Sequence, residues 1–388
     1  MMNDSANKEK ILFVSTVPET INGFLLPFAD RLRGDNWIVH AMADGVSTIG
    51  GLTSHFDETW DVAFSRNPAS AVWTLRANVK QIKRVLEEEK YTIVHTHTPI
   101  SSFVVRFAAG RMRKSTRPII MYTAHGFHFH DLGGRFRNTV YFETEKLGAR
   151  WTDILIVINE EDYKSAISKK LIAAGKVKRL PGIGVDSSLF DPTAYSDWDV
   201  QALRDELGIP ERTKVLLMAA EFIPRKRHSD AIRAMELLER DDVCLLFAGS
   251  GRLEDSLKEN VKQKGMDKQI RFLGRQENIP LLIKMSAAVV LPSLQEGLPR
   301  VLLEAMSMNI PIIATDIRGS KELLQNGCGI LVPPGSPKDL AEAMRWILQN
   351  EDLARNMGEK GRPIILSRYD QEIVISKQME IYYGLIHK

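Results

Sequence analysis

The chain has 388 residues, 44% of them hydrophobic and 26% charged, and carries a net charge of +3. That length exceeds what one hydrophobic core usually serves and predicts two domains of roughly 190 residues each, while so small a net charge gives no electrostatic footprint for nucleic acid. With Cys244 and Cys328 as the only cysteines, a disulfide framework and a cysteine metal cluster are excluded, and a reducing cytoplasm is the expected setting.

In chain order, residues 1–10 are polar and charged. No signal peptide is expected ahead of Ile11, and no apolar run reaches the roughly 20 residues of a membrane span. Apolar runs at 11–15, 37–42, 92–95, 119–123 and 154–158 predict strands in the first half, with amphipathic helical segments between most of them. Runs at 215–219, 244–248, 270–273, 288–291, 312–315 and 329–332 predict six more in the second half. These runs are continuous rather than alternating, as in parallel sheets covered on both faces by helices. The expected class is α/β, with two doubly wound domains facing across a cleft and ligands beyond the carboxyl ends of the strands. A cluster of Pro, Gly and Asp at 180–192 marks the boundary, which places the domains at 1–188 and 189–370.

The loops of the first half carry two features. Residues 1–190 hold 25 Lys and Arg against 20 Asp and Glu, so the basic excess is N-terminal. It concentrates in Arg106, Arg111, Arg113, Lys114 and Arg117, interleaved with Phe107 and Met112. Such a segment fits an anionic membrane surface, and equally a solvated helix end followed by a basic loop. The second feature is histidine at strand ends: His95 and His97 close one predicted strand, and a stretch from Tyr122 through His125, His128 and His130 to Asp131 closes the next. Three neighbouring histidines raise a metal site. However, His128 and His130 alternate with Phe127 and Phe129, which reads as an extended segment with one apolar face, and no cysteine or acidic set completes a ligand shell; no metal is expected. His125, just before Gly126, is the candidate for touching a substrate, with a satisfied structural histidine as the alternative.

In the second half, the strand at 215–219 leads into Arg225, Lys226 and Arg227, cations able to neutralise a diphosphate or to form a solvated basic turn. Gly249 and Gly251 give a loop that allows close backbone approach to a ligand, or a tight turn. Asp197 and Asp199 flank Trp198 ahead of a helical pattern and read as helix capping rather than as a cation site. The strand at 288–291 ends at Pro292 and Ser293, and Pro299 suits the first turn of a helix. Glu296 therefore precedes that helix, and Glu304 rides on it. Backbone amides near Gly297 and Leu298, with the helix dipole, can hold an anion between the two carboxylates, whose own partners must be hydroxyls. A sugar nucleotide offers that pattern of sugar, diphosphate and ribose. Alone, the spacing also fits a surface helix with an acidic residue at each end.

In combination these motifs resemble the retaining glycosyltransferases of family 4, which have the GT-B fold. The resemblance rests on Glu296 and Glu304 with Gly297, Leu298 and Pro299, on Ala305, Met306 and the run from Pro311 to Asp316, and on Gly184, Gly274 and Gly335 in their segments. It covers nearly the whole chain. The stretch from Tyr122 to His130 is similar to that of bacterial enzymes of capsule, exopolysaccharide and O-antigen assembly. The resemblance implies a first domain on the acceptor side, onto which a terminal helix at about 371–388 packs back, and a second domain that binds the nucleotide sugar. It implies catalytic roles for His125, Glu296 and Lys226. Substrate binding would fall to Arg225, Gly297, Leu298, Pro299, Glu304 and Gly249, with Asn22 and Gly23 in an N-terminal loop at 17–23. Two departures stand out. Ala220 and Glu221 occupy positions where many members have Gly-Arg, leaving Arg225 as a substitute, and a second glycine typical of the N-terminal loop is missing. The implied activity is metal-independent, cofactor-free transfer of an N-acetylhexosamine from a UDP-sugar to a polyprenyl-diphosphate-linked saccharide, in the cytoplasm or on the inner face of the cell membrane. A sugar-nucleotide epimerase and a non-catalytic sugar-nucleotide-binding protein are the alternatives.

Overall fold

In a computed structural model, which describes residues 8–64, 68–129 and 133–387 with the side chains of 68–74 excepted, the chain divides into two compact units. One comprises Met1–Ile183 together with Ile375–Lys388, the other Gly184–Val374. The first unit holds seven strands: β1 Lys10–Val14, β2 Ile38–Ala43, β3 Glu58–Asp61, β4 Ile93–Thr96, β5 Ile119–Ala124, β6 Ile154–Val157 and β7 Val177–Arg179. They pair in the order β3-β2-β1-β4-β5-β6-β7, all parallel. The second unit holds β8 Lys214–Ala219, β9 Val243–Ala248, β10 Ile270–Gly274, β11 Ala288–Leu291, β12 Ile312–Thr315 and β13 Gly329–Val332. Their order is β10-β9-β8-β11-β12-β13, again all parallel.

Burial on both faces explains the continuous apolar runs. Along β8 and β9, Leu216, Met218, Leu245 and Phe247 enter one core, while Val215, Leu217, Cys244 and Leu246 enter another on the opposite face of the sheet. Successive side chains alternate across a strand, so both sets must be apolar. The strands that sequence patterning misses are β3, reading Glu-Thr-Trp-Asp, and β7, reading Val-Lys-Arg. Both are edge strands with exposed ends and no apolar run.

In each sheet the chain order reverses once, between β1 and β4 and between β8 and β11. Adjacent loops diverge at such a switch point and leave room for a ligand beyond the strand ends. Every candidate residue of the second unit lies on this carboxyl side of its sheet.

Several local expectations need correction. Residues 17–23 are not a loop: Pro18–Phe24 is a helix, started by the fixed φ of Pro18 and Glu19 in the first turn and anchored by buried Ile21. Asn22 and Gly23 sit exposed on it. Pro299 precedes its helix, Arg300–Ser307, as the cap residue rather than opening the first turn. Arg106 belongs to no basic surface. It is buried, pairs with Glu145 at 3.1 Å and lies 4.3 Å over the Tyr122 ring. Gly148 makes room for it, since a Cβ there would come within 2.6 Å of the guanidinium carbon. Arg117 is likewise engaged, with both Asp153 oxygens at 2.8 Å. Asp197–Glu206 is a helix capped by Ser196, whose hydroxyl and backbone exchange hydrogen bonds with Asp199, as the capping reading expects. Among the described residues no helix is long and apolar enough to cross a membrane.

Candidate active site

At the switch point of the second sheet, the loop after β8 and the loop after β11 meet. The backbone N–H of Leu294 donates to the Arg225 carbonyl at 2.8 Å. This places the Lys226 ammonium 2.6 Å from Glu296 Oε1, with the two side chains only 14% and 8% exposed. Lys226 and Glu296 are 70 positions apart, and the sequence gives no sign that they touch. An ammonium has three N–H donors. One faces Glu296, and the others can serve an anion, while the second Glu296 oxygen can accept from a hydroxyl.

Arg225 is exposed beside this pair. Arg227 is not available to an anion, because its guanidinium binds both Asp230 oxygens, at 2.8 and 2.6 Å. The expected three-cation loop therefore offers Arg225 and Lys226.

The Glu296 loop is held from the far side by the helix Arg318–Leu324, which follows β12. Arg318 Nε donates to the Glu296 carbonyl at 3.0 Å. A Cβ at Gly319 would fall 2.3 Å from the Gly297 carbonyl oxygen and 3.0 Å from Pro299 Cδ. Thr315 adds a hydrogen bond from its hydroxyl to the Ser293 carbonyl. Sequence reasoning missed all three bracing residues; the only signal was a glycine shortly after the strand at 312–315.

Glu304 lies on the fifth residue of the helix Arg300–Ser307 and is buried. Arg300, one turn earlier, forms an ion pair with it at 2.7 Å, a partner that the i,i+4 spacing could have revealed. Burial raises the Glu304 pKa above the ordinary carboxylate value, with Arg300 opposing. Leu298 packs on the core beneath this helix.

Gly249 has φ +144°, and a Cβ there would lie 2.2 Å from the Ala220 carbonyl oxygen. Gly251, at φ +157°, sits as tightly on the backbone of Phe222. The close approach that these glycines permit is thus to the loop after β8, which they lock against the loop after β9.

In the first unit, the loops after β4 and β5 bring His97 and His125 together, with His97 Nδ1 3.1 Å from His125 Nε2. His95 stands beside them, its two nitrogens bonded to the hydroxyls of Tyr382 and Thr123. Burial lowers the His125 pKa to about 4 and the His95 pKa to about 3. His128 is exposed 5.1 Å from the Tyr141 ring, and His130 and Asp131 lie outside the described residues. Among the described residues no group of three or more His, Cys, Asp or Glu is placed to hold a metal ion. At this unit's own switch point, the hydroxyls of Thr16 and Thr98 meet at 2.6 Å, and Thr98 continues to Ser101 at 2.8 Å.

Comparison with known proteins decides the family. The family model described as "Glycosyl transferases group 1" matches residues 199–363, and the one described as "Glycosyltransferase Family 4" matches residues 50–187. EpsD of Bacillus subtilis (strain 168), a protein assigned as a glycosyltransferase, is 32% identical over 378 residues, 96% of either chain. The chain belongs to the family 4 glycosyltransferases. The UDP-Gal:alpha-D-GlcNAc-diphosphoundecaprenol alpha-1,3-galactosyltransferase of Escherichia coli is 31% identical to this glycosyltransferase over 291 residues, covering 71% of it and 72% of the relative. Its fold is that of solved GT-B enzymes. The structure of Anabaena Alr3699/HepE in complex with UDP and glucose superposes with a TM-score of 0.79 at 20% identity, covering 97% of this chain and all of that one.

Proposed function

We propose that this glycosyltransferase moves a sugar, an N-acetylhexosamine, from a UDP-sugar to a polyprenyl-diphosphate-linked saccharide, with retention of configuration and without a metal or other cofactor. The setting is the assembly of a bacterial surface polysaccharide. The observation that carries this reading is the Lys226–Glu296 pair at the switch point of the second sheet. Support for the partners comes from the names of related proteins: UDP and glucose in the HepE complex, and UDP-Gal with a diphosphoundecaprenol-linked GlcNAc for the Escherichia coli relative.

In this reading Lys226 and Arg225 stabilise the charge that grows on the departing diphosphate, as preorganised donors do in a water-poor site. Glu296 orients the transferred sugar through a hydroxyl and is not a nucleophile. Gly297, Leu298 and Pro299 line the sugar and diphosphate, Glu304 accepts from the ribose hydroxyls, and Gly249 shapes the neighbouring loop. His125 contacts the sugar near the reacting carbon, with Asn22 and Gly23 on the acceptor side. The acceptor hydroxyl attacks from the face that the diphosphate leaves. The bond from the anomeric carbon to the phosphate oxygen breaks as the new glycosidic bond forms, and the hydroxyl proton passes to a phosphate oxygen.

The test is incubation with UDP-sugars, with and without a polyprenyl-diphosphate-linked saccharide and in the presence of a chelator. Free UDP and an extended lipid product that appear only with acceptor are expected. Conversion of the donor without acceptor would identify an epimerase, and binding without turnover a non-catalytic protein.

Work at the inner face of the cell membrane is part of the same proposal, but the surface differs from the one the sequence pointed to. Arg111, Arg113 and Lys114 are exposed. The helix Arg135–Ala149 adds exposed Phe136, Val140 and Leu147 on one face, with Phe136 85% exposed; exposed Glu143 lies among them, and exposed Arg135, Arg137, Lys146 and Arg150 flank them. Such a helix suits the boundary of an anionic bilayer. Flotation with phosphatidylglycerol vesicles should carry the protein, and phosphatidylcholine vesicles should not. Phe136→Ser with Val140→Ser, or charge reversal at Arg111, Arg113 and Lys114, should release it. Absence of flotation, or indifference to both sets of changes, would remove the membrane from the proposal.

A further inference from the structure

Three histidine rings stand in a row at the ends of β4 and β5, with centroids 4.2 Å apart for His95 and His97 and 5.4 Å apart for His97 and His125. Both nitrogens of His95 are occupied by hydroxyls. His97 Nδ1 meets His125 Nε2, whereas buried His97 Nε2 has no hydrogen-bond partner. His125 Nδ1 makes no hydrogen bond among the described residues, and His125 as a residue is only half-buried. That nitrogen is the one left for a ligand.

Burial keeps all three rings neutral near pH 7, His97 well below its ordinary value and helped there by its two neighbours. Between two neutral rings, one nitrogen donates and the other accepts. If His125 donated, His97 would carry its proton on Nε2, and an N–H would be buried without an acceptor. If His97 donates, its Nε2 is a bare lone pair, which is the less costly group to leave under-satisfied. The surroundings of Nε2 favour the same choice. His97 lines a cavity of about 20 Å³ together with Gln378, whose amide nitrogen is also buried without a partner. That is room for about one water. A water accepting from the Gln378 amide can donate to a bare Nε2, whereas opposite an Nε2–H it would face two donors and leave both its own protons unpaired.

We propose that His97 is a positioning residue that fixes the tautomer of His125. His97 Nδ1–H donates to His125 Nε2, so His125 carries its proton on Nδ1 and presents a neutral N–H donor rather than a lone pair. The ligand atom opposite His125 is then an acceptor oxygen, and His125 is not the base that takes the proton of the attacking hydroxyl. The meaning for catalysis rests on the reading of His125 as a substrate contact; the tautomer itself does not.

The experiment is two-bond imidazole ¹H–¹⁵N correlation on histidine-labelled full-length protein, with His125→Gln used to assign the signal. Wild type should show His125 as the Nδ1–H form. His97→Leu should move the population toward Nε2–H, and His97→Asn, whose amide can donate from nearly the same place, should restore it. An Nε2–H signal in wild type overturns the proposal even if the leucine variant does not fold, and so does a tautomer unchanged in His97→Leu. In transfer assays His97→Leu should lower kcat roughly tenfold, the scale of an outer hydrogen bond that orients a contacting group, with KM nearly unchanged and recovery in His97→Asn. If the tautomer follows His97 as expected while His125→Gln leaves transfer intact, the positioning stands and the substrate role of His125 falls.

Discussion

Replacing Lys226 with alanine is expected to lower sugar transfer by about 10²–10³-fold, the usual loss when one preorganised donor to developing charge is removed. The structure adds a second consequence. Lys226 also neutralises Glu296, and both side chains are largely withdrawn from water. Removing one partner of a buried pair costs about 3–5 kcal/mol, because the other charge is left uncompensated. Lys226→Ala alone should therefore be both inactive and less stable. The double variant Lys226→Ala with Glu296→Gln, which removes the stranded charge, should regain most of the lost stability in denaturant unfolding while remaining inactive. Near-normal turnover by the single variant, or transfer that depends strictly on a divalent cation, would defeat the assigned role.

Glu296→Gln and Glu304→Gln should fail in different ways. Glu296 touches the sugar side of the proposed site, so its loss should fall mainly on kcat. Glu304→Gln should act mainly through KM for the UDP-sugar, by about 10–100-fold, the range for one hydrogen bond to a charged acceptor. The Glu304 change should also stabilise the protein. Burial raises the carboxyl pKa in the folded state, so the wild type loses stability as pH rises from the ordinary carboxylate value through the raised one. A neutral glutamine escapes that loss. Its advantage should be largest at neutral pH and shrink as acid protonates Glu304. Nucleotide affinity of the wild type should weaken over the same acidic window, where the acceptor gains its proton. Equal effects of the two variants on kcat and KM would abolish the division of roles.

Among the described residues, eleven of the thirteen strands were legible in sequence, the interior ones because a strand buried on both faces must be largely apolar; of the four edge strands, β10 and β13 still carry apolar runs, whereas β3 and β7 carry none. The site was legible only in part. The segment around Glu296 and Glu304 announces itself by a strand end, a proline and a helix. What turns those residues into a site is contact across long stretches of chain: Lys226 with Glu296, Arg318 with the Glu296 carbonyl, His97 with His125. No local pattern encodes such pairings. The same limit misled the basic segment of the first half. Arg106 and Arg117 look like surface charge until Glu145 and Asp153 arrive from elsewhere to bind them.

The hydroxyl that Tyr382 gives to buried His95 also sets a timetable for synthesis. Residues of β1 to β7 leave the ribosome before Gly184–Val374, yet their unit takes in Ile375–Lys388, made after it. Domains generally fold as they emerge, the N-terminal one ahead. Here the stretch Gly184–Val374 is complete while the earlier unit still lacks its closing helix. The unit whose strands are made earlier is the one completed later.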